Sequence, residues 1–368
     1  MAKLLMITGL GSASDLASGK KGAFYNTLEE FHKYWDRIDI IAPKVKSRGS
    51  RVTNLFGNVH IHISPWPLML HPIWFIKKGL ELHREQKFNL MTVQEFPPFY
   101  NGIGARLLWQ KIRVPYVLEI HHIPGYPKTA NLKEKIYKNL VRGFIRFDST
   151  KAKAIRVVNQ TQVPEFLIKA GIPQDKILYI PSIYIDLETF KPTNLEKEYD
   201  MIFVGRLEPN KGIGIFIDAA KKLDAKAIIV GDGPLVGSVR SRTGHSGTKI
   251  DVHGWARDSR EVAELINRSK ILVMPSYNEG GPRVVLEAMA CGVPVLATPV
   301  GIVTDIIKDG ESGVRIGWDS KDIAEKSEKL LNDPVQYEKY SRAGIELAKQ
   351  FEKKEVIKNY ADKLKGLV

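Results

Sequence analysis

Two glutamates, Glu279 and Glu287, stand eight residues apart in the stretch NEGGPRVVLEAMACG, Asn278 to Gly292, with Gly280, Gly281, Pro282 and Arg283 between them. Gly-Gly-Pro followed by good helix formers reads as a loop that ends where a helix begins. Pro282 suits the first helical turn, where its missing N–H would have had no partner. Glu279 then lies just outside the helix and Glu287 about a turn inside it. That end of a helix attracts anions, so two carboxylates flanking it need a reason.

Cations stand nearby in the same half of the chain. VGRLEPNKGIGIFIDAAKKL follows a strand and precedes a helix, and it places Gly205, Arg206 and Lys211 at the helix start. A guanidinium and an ammonium there make a cradle for a diphosphate. Taken singly they would be ordinary surface charges; Arg283, beside a second helix start, tips the reading toward an anion site. IVGDGPL reads as a tight turn through Gly231, Asp232 and Gly233. ITGLGSAS approaches a dinucleotide fingerprint, but Ser14 stands where the third glycine belongs and Asp36 and Asp39 precede the next strand. No nicotinamide site is expected. His60 and His62 share one face of a strand with no third ligand evident, so no metal site is expected. His121 and His122 end the strand PYVLEIHH and should face whatever lies beyond it.

These residues sit on loops between short β-branched runs and longer helical patterns. The strand candidates are LLMITGL, IDIIAP, VHIHI, LMTVQ, PYVLEIHH, AIRVVNQ and ILYIP, then YDMIFVGRL, KAIIVGDG, KIDVHGW, KILVMPS and VPVLATPV. Nearly continuous apolar strands separated by helices indicate parallel sheets buried on both faces. The expected fold class is α/β, with two doubly wound, Rossmann-like domains facing a cleft. The stretch IPSIYIDLETFKP, Ile180 to Pro192, marks the crossing between them. The expected division is residues 1–183, residues 184–350, and a C-terminal helix, 351–368, packing back on the first domain.

At 368 residues the chain is long enough for two or three domains. Cys291 is the only cysteine, so neither an intramolecular disulfide nor a cysteine zinc site can form, and a reducing, cytoplasmic setting is expected. MAKLLMITGLGSASD reads as a first strand rather than a signal peptide. SPWPLMLHPIWFI carries three prolines and falls short of the ~20 residues a membrane helix needs. The net charge is +14, and residues 1–180 hold 27 Lys/Arg against 13 Asp/Glu, so the whole excess lies in the first half. A solvated basic surface would explain it, as would an anionic partner: membrane headgroups, a phosphate-bearing acceptor or nucleic acid.

Together these pieces resemble the retaining glycosyltransferases of family four, whose fold is GT-B. GRLEPNKG is similar to that family's G-R…K-G loop, and VGDGP to its V-G-D-G-P turn. MPSYNEGGPRVVLEAMACGVPVLAT matches its P-S…E-x7-E…A-M-A-x-G-x-P-V-x-A-T block, and PVGIVTDIIKDGESGV the stretch that follows. VPYVLEIHH has a proline six residues before His121, as in the family. The resemblance implies a nucleotide-sugar donor, UDP-sugar or GDP-sugar, and no further cofactor. It implies that Glu287 accepts hydrogen bonds from the ribose, that Glu279 holds a hydroxyl of the transferred sugar, and that Arg206 and Lys211 neutralise the leaving diphosphate without a metal. His121 would approach the sugar from the other domain, and Gly205, Gly280, Gly281, Arg283 and Gly22 would complete the donor site. The chain departs from the pattern at Pro282, where the family commonly has glycine, and at Asp305, where it has glutamate. IPSIYID replaces the common I-P-N-G-V-D, and Gly22 follows Lys20–Lys21 where the family has paired glycines.

The acceptor implied is a sugar, a polysaccharide or a lipid-linked glycan, which would place the protein in the cytoplasm or peripherally at the inner membrane face. WPLMLHPIWFIKKG, Trp66 to Gly79, could lie on anionic headgroups, unless Ile73, Trp74 and Ile76 pack against the first sheet. Three readings compete. A glycosidase would use Glu279 and Glu287 as an acid/base pair but leaves Arg206 and Lys211 idle. A sugar-nucleotide epimerase of the same fold would keep the donor site. A nucleic-acid-binding protein would use the basic half, which carries no recognised motif and no interleaved aromatics, so no nucleic acid is expected.

Overall fold

The computed structural model describes residues 2–9, 12, 16, 22–44, 53–95, 100–244 and 247–368. Through the first half run β1 (Lys3–Ile7), α1 (Ala23–Phe31), β2 (Arg37–Ala42), β3 (Asn54–Leu55), β4 (Val59–Ile63), α2 (His71–Gln86), β5 (Leu90–Gln94), α3 (Tyr100–Ile112), β6 (Tyr116–Ile120), α4 (Leu132–Ser149), β7 (Ala154–Val157), α5 (Gln162–Lys169) and β8 (Ile177–Tyr179). They build one sheet in the order β3-β4-β2-β1-β5-β6-β7-β8. Through the second half run β9 (Tyr199–Val204), α6 (Ile213–Lys222), β10 (Ala227–Val230), α7 (Val236–Thr243), β11 (Ile250–Gly254), α8 (Ser259–Asn267), β12 (Ser269–Met274), α9 (Arg283–Ala290), β13 (Val295–Ala297), α10 (Val303–Ile306), β14 (Val314–Arg315), α11 (Ser320–Leu331), α12 (Pro334–Lys349) and α13 (Lys353–Lys365). Their sheet runs β11-β10-β9-β12-β13-β14.

Every stretch read as a strand forms one, and the fold is the expected pair of doubly wound parallel-sheet domains. β3 and β14 have only two residues each and carry no strand signal; β3 is antiparallel to β4. Strands such as β6 and β13 are buried along their whole length, because helices cover both faces of a parallel sheet.

Chain order sets where a crevice can open. From β1 the chain goes to β2 on one side and later to β5 on the other, and β9 stands likewise between β10 and β12. Each sheet therefore has a switch point, with a crevice beyond the carboxyl ends of those strands. The crossovers from β4 through β8 all step in one direction, so right-handedness sets α2 to α5 on one face and α1 on the other. α2 packs on α3 and α3 on α4, whereas α1 packs against α13.

The chain passes between the sheets twice, at a shared point. Ile185 N–H donates to the Phe351 carbonyl at 2.8 Å, and Lys353 N–H donates to the Ile185 carbonyl at 3.1 Å. α13 returns to the first sheet, where Tyr360 stacks on Phe31 with ring centres 4.7 Å apart.

Candidate active site in the interdomain cleft

At the second sheet's switch point β9 ends at Val204, so Gly205 and Arg206 emerge beside the loop that follows β12. A left-handed turn brings that loop and Lys211 together. Gly212 has φ +68°, and a Cβ there would lie 2.1 Å from the Pro275 carbonyl oxygen, so only glycine allows the approach. Lys211 Nζ donates to Glu279 Oε1, and Ser276 Oγ donates to the same oxygen at 3.0 Å. Ser276 is itself held, its carbonyl accepting from Thr298 Oγ1 at 2.6 Å and Trp318 Nε1 at 2.9 Å.

α9 begins at Arg283. Pro282 is extended, with φ −69° and ψ 103°, and caps the helix from outside rather than occupying its first turn as the sequence suggests. Ring closure sets its φ, but the turn from the glycines into the helix needs the extended ψ. Glu279 lies outside the helix and Glu287 one turn inside. Burial pushes the Glu287 carboxyl up to about 7, against the pull of Arg283. The Arg283 guanidinium lies over the Tyr184 ring, 4.8 Å from its centre. Gly205, Lys211, Glu279, Arg283 and Glu287 line one cavity of about 220 Å³.

That cavity adjoins a larger one of about 660 Å³ between the domains, lined among others by Gly205, Arg206, Lys211, Gly281, Arg283 and His121. Arg206 stands at its mouth, 64% exposed, with its guanidinium 3.1 Å from Glu208 Oε1. Lys211 faces Glu279 directly, a pairing the sequence reading did not foresee. Gly281 packs against Ile183, where a Cβ would come within 2.7 Å of Cγ2. A Cβ on Gly280 would lie 2.0 Å from the His121 carbonyl oxygen. Gly280 thus serves domain contact, with its backbone pressed on the first domain. Gly22 caps α1, and the cavity is lined by Phe24, Thr27 and Leu28 of that helix.

The opposite wall holds residues the sequence reading passed over. Glu119 and Arg156 are buried on the adjacent strands β6 and β7, and Arg156 Nη1 donates to Glu119 Oε1 at 2.8 Å. Arg156 also donates to the carbonyls of Ile180 and Pro181 at 3.2 and 3.0 Å. Tyr360 of α13 donates to Glu119 Oε1, with its ring under the guanidinium at 3.8 Å. Burial raises the Glu119 carboxyl, but Arg156, His121 and the Tyr360 hydroxyl together bring it below its ordinary value. Charges inside the apolar runs PYVLEIHH and AIRVVNQ were the available signal, since such groups are buried only when paired. His121 Nε2 is 4.0 Å from Glu119 Oε2 and has no hydrogen-bond partner among the described residues. Desolvation, then Arg156, lowers the His121 pKa to about 4, so the ring is neutral.

Other expected features settle elsewhere. His62 Nε2 pairs with buried Asp39 at 2.8 Å, and Arg37 takes its second oxygen, so Asp39 is a structural partner. Gly11, Ser14, Lys20 and Lys21 lie outside the described residues. Asp305 and Thr304 bind across the domains: Thr161 Oγ1 is 2.6 Å from Thr304 Oγ1 and donates to Asp305 Oδ1 at 2.7 Å. Asn278, next to Glu279, donates to the Lys128 carbonyl at 3.2 Å and to Glu134 Oε2 at 3.0 Å.

Two parallel-sheet domains, with Lys211, Glu279 and Glu287 at the second sheet's switch point and His121, beyond β6 of the first, on the cavity between them, have the expected GT-B-type fold. Residues 185–347 match the family model described as glycosyl transferases group 1. The chain is similar to an uncharacterized glycosyltransferase of Methanocaldococcus jannaschii, 27% identical over 81% of this chain and 82% of that protein. It is 26% identical, over 72% of this chain and 74% of the relative, to the N,N'-diacetylbacillosaminyl-diphospho-undecaprenol alpha-1,3-N-acetylgalactosaminyltransferase of Campylobacter jejuni. Among solved structures, sucrose-phosphate synthase of Thermosynechococcus elongatus superposes with a TM-score of 0.82 at 17% identity, covering 100% of this chain and 99% of that one. Anabaena HepE in complex with UDP-glucose gives 0.75 at 18%, covering 100% of both. These matches support glycosyltransferase activity.

Proposed function

We propose that the protein transfers a sugar from a nucleoside diphosphate sugar, UDP-linked or GDP-linked, to an acceptor hydroxyl with retention of anomeric configuration. The observation that carries this reading is the convergence of Lys211, Glu279, Arg283 and Glu287 on one cavity at the β9/β12 switch point, with His121 across the larger cavity. The diphosphate lies against the start of α9, near Arg206 and Lys211. Glu287 accepts the ribose hydroxyls, and the second oxygen of Glu279 accepts a hydroxyl of the sugar. In the reaction the anomeric carbon–oxygen bond to the diphosphate breaks and a bond to the acceptor oxygen forms on the same face. The acceptor's proton passes to the departing phosphate oxygen. Negative charge grows on that phosphate, so pre-placed cations stabilise the transition state more than the ground state. Arg206 and Lys211 supply this charge without a divalent metal. Neutral His121 offers the sugar a hydrogen bond from the first domain.

The acceptor binds on the first domain's side, and a lipid-linked or membrane-associated glycan fits the basic first half. The relative that acts on an undecaprenol-linked sugar supports this choice. The protein then works at the cytoplasmic face of the membrane. Incubation with nucleotide sugars tests the proposal: transfer releases nucleoside diphosphate only when an acceptor is present, whereas an epimerase needs none.

A further inference from the structure

A row of exposed apolar side chains lies outside the cleft, along α4. Leu132, Ile136, Leu140, Phe144 and Phe147 are all exposed, and their spacing of three or four residues places them on one face of the helix. Val141 and Ile145, with Asp148, face the core instead. Leu132 is 72% exposed and Ile136 51%, values that a helix packed only against its own domain has no reason to carry. The cations of the helix complete the pattern. Lys133, Lys135, Lys138, Arg142 and Arg146 face two acids, Glu134 and Asp148. Glu134 is engaged by Asn278 and by the Ala130 N–H, and Asp148 is buried, so neither acid offsets the cations. Arg142 lies over the Phe166 ring and Arg146 donates to the Ala170 carbonyl, which sets both along the α5 side of the stripe.

The same side of the domain carries further exposed apolar side chains on the far side of α3, which packs between α2 and α4. α2 to α5 cover one face of the first sheet; in the turn just before α2 Met69 is 78% exposed, and in its first turn Ile73 is 58% exposed. Trp74 and Ile76 instead pack on the core, and Lys78 pairs with Glu81 at 2.5 Å. The stretch Trp66–Gly79 is therefore divided between packing and exposure.

We propose that α4, supported by the start of α2, docks the protein on an anionic lipid surface. An apolar stripe bordered by cations, on a helix lying flat on the domain, matches a headgroup layer rather than a bilayer core. No helix among the described residues is long and apolar enough to cross a membrane. The stripe also starts at the cleft. Leu132 is two residues from Glu134, which takes the hydrogen bond from Asn278, the neighbour of Glu279. A protein seated on α4 holds its cleft beside the headgroups, where the sugar of a lipid-linked acceptor would sit. The proposal rests on the lipid-linked acceptor reading and deepens it, and its test separates the two.

The full chain is sedimented with vesicles of phosphatidylcholine alone or mixed with phosphatidylglycerol, at rising salt. The wild type is expected to bind the anionic vesicles, to leave the neutral ones, and to release as salt screens the charges. The triple variant Leu132→Gln, Ile136→Gln, Leu140→Gln alters only exposed positions and is expected to lose at least tenfold in vesicle affinity. Its melting temperature and its affinity for UDP or GDP, read by calorimetry, should stay as in the wild type. Wild-type protein that stays with the supernatant at low salt overturns the proposal, as does a triple variant that binds as tightly. A self-association lost in the variant, without vesicle binding, would make α4 a protein interface and also overturn it. Loss of nucleotide binding in the wild type would strike the transferase reading alone.

Discussion

Lys211 and Glu279 are joined by a direct hydrogen-bonded ion pair, Nζ on Oε1, although they come from loops after different strands. One was expected at the diphosphate and the other at the sugar. Their contact links the two halves of the proposed donor site, so they should act as a unit. Lys211→Ala is expected to lower kcat by about 10- to 150-fold, the worth of a charge-assisted hydrogen bond of ~1.5–3 kcal/mol. In a double-mutant cycle with Glu279→Ala the two losses should fall well short of additive. Additive losses, or normal turnover by Lys211→Ala, would separate the residues.

Glu287 gives the site a pH dependence. Its folded carboxyl is raised from 4.5 to about 7, so below neutrality it holds a proton. Its contribution to stability is then complete below 4.5 and is lost as pH rises through about 7. Ribose hydroxyls donate best to the ionised form, so nucleoside diphosphate affinity is expected to strengthen between about pH 6 and 8. Calorimetry across that range should show the rise in wild type and a flat profile in Glu287→Gln; the same rise in the variant would clear Glu287 of the role.

Gly280 tests the domain contact. Alanine there would drive a Cβ onto the His121 carbonyl, and rigid backbone on both sides leaves domain separation as the relief. Transfer should fall at least tenfold while free nucleoside diphosphate, held by the second domain, binds nearly as before. Gly237→Ala, where a Cβ meets nothing within 4 Å, serves as the control. Wild-type kcat in Gly280→Ala would show that the contact does not matter in turnover.

The buried pair Glu119–Arg156 is expected to matter for stability. Arg156→Ala leaves the Glu119 charge without its main partner, at a cost of about 3–5 kcal/mol. At ~2–4 °C per kcal/mol for a domain of this size, the melting temperature should drop roughly 6–20 °C. Tyr360→Phe removes one hydrogen bond and should cost about 1 kcal/mol. Thermal unfolding by circular dichroism checks both, and an unchanged Arg156→Ala would mean the pair carries no net stability.

The parallel sheets were legible because strands buried on both faces read as apolar runs, as β6 and β13 do. Gly212, whose left-handed turn lets the backbone pass close to Pro275, was not singled out in the sequence, because the close approach is set by the end of β12, far along the chain. Local spacing cannot show partners that topology alone brings together. Tyr360 reaches Glu119 from 241 residues away, and Tyr184 lies under Arg283 only because the crossing segment folds back. Pro282 falls one position outside its expected turn, since the same ring geometry serves a helix cap and a first turn. The α4 stripe escaped because its exposed apolar residues interleave with those that pack, and only burial tells them apart.

The central claim is that a nucleotide sugar is bound at the β9/β12 switch point and its sugar passed to an acceptor with retention. The most direct measurement is proton NMR of the reaction of wild type and Lys211→Ala with UDP-sugar or GDP-sugar and a lipid-linked glycan acceptor. The expected result is nucleoside diphosphate and glycosylated acceptor in equal amounts, with the anomeric configuration of the donor kept and the rate lowered in the variant. An inverted anomer would contradict retention. Donor consumption indifferent to acceptor, or to Lys211, would contradict the transferase account itself.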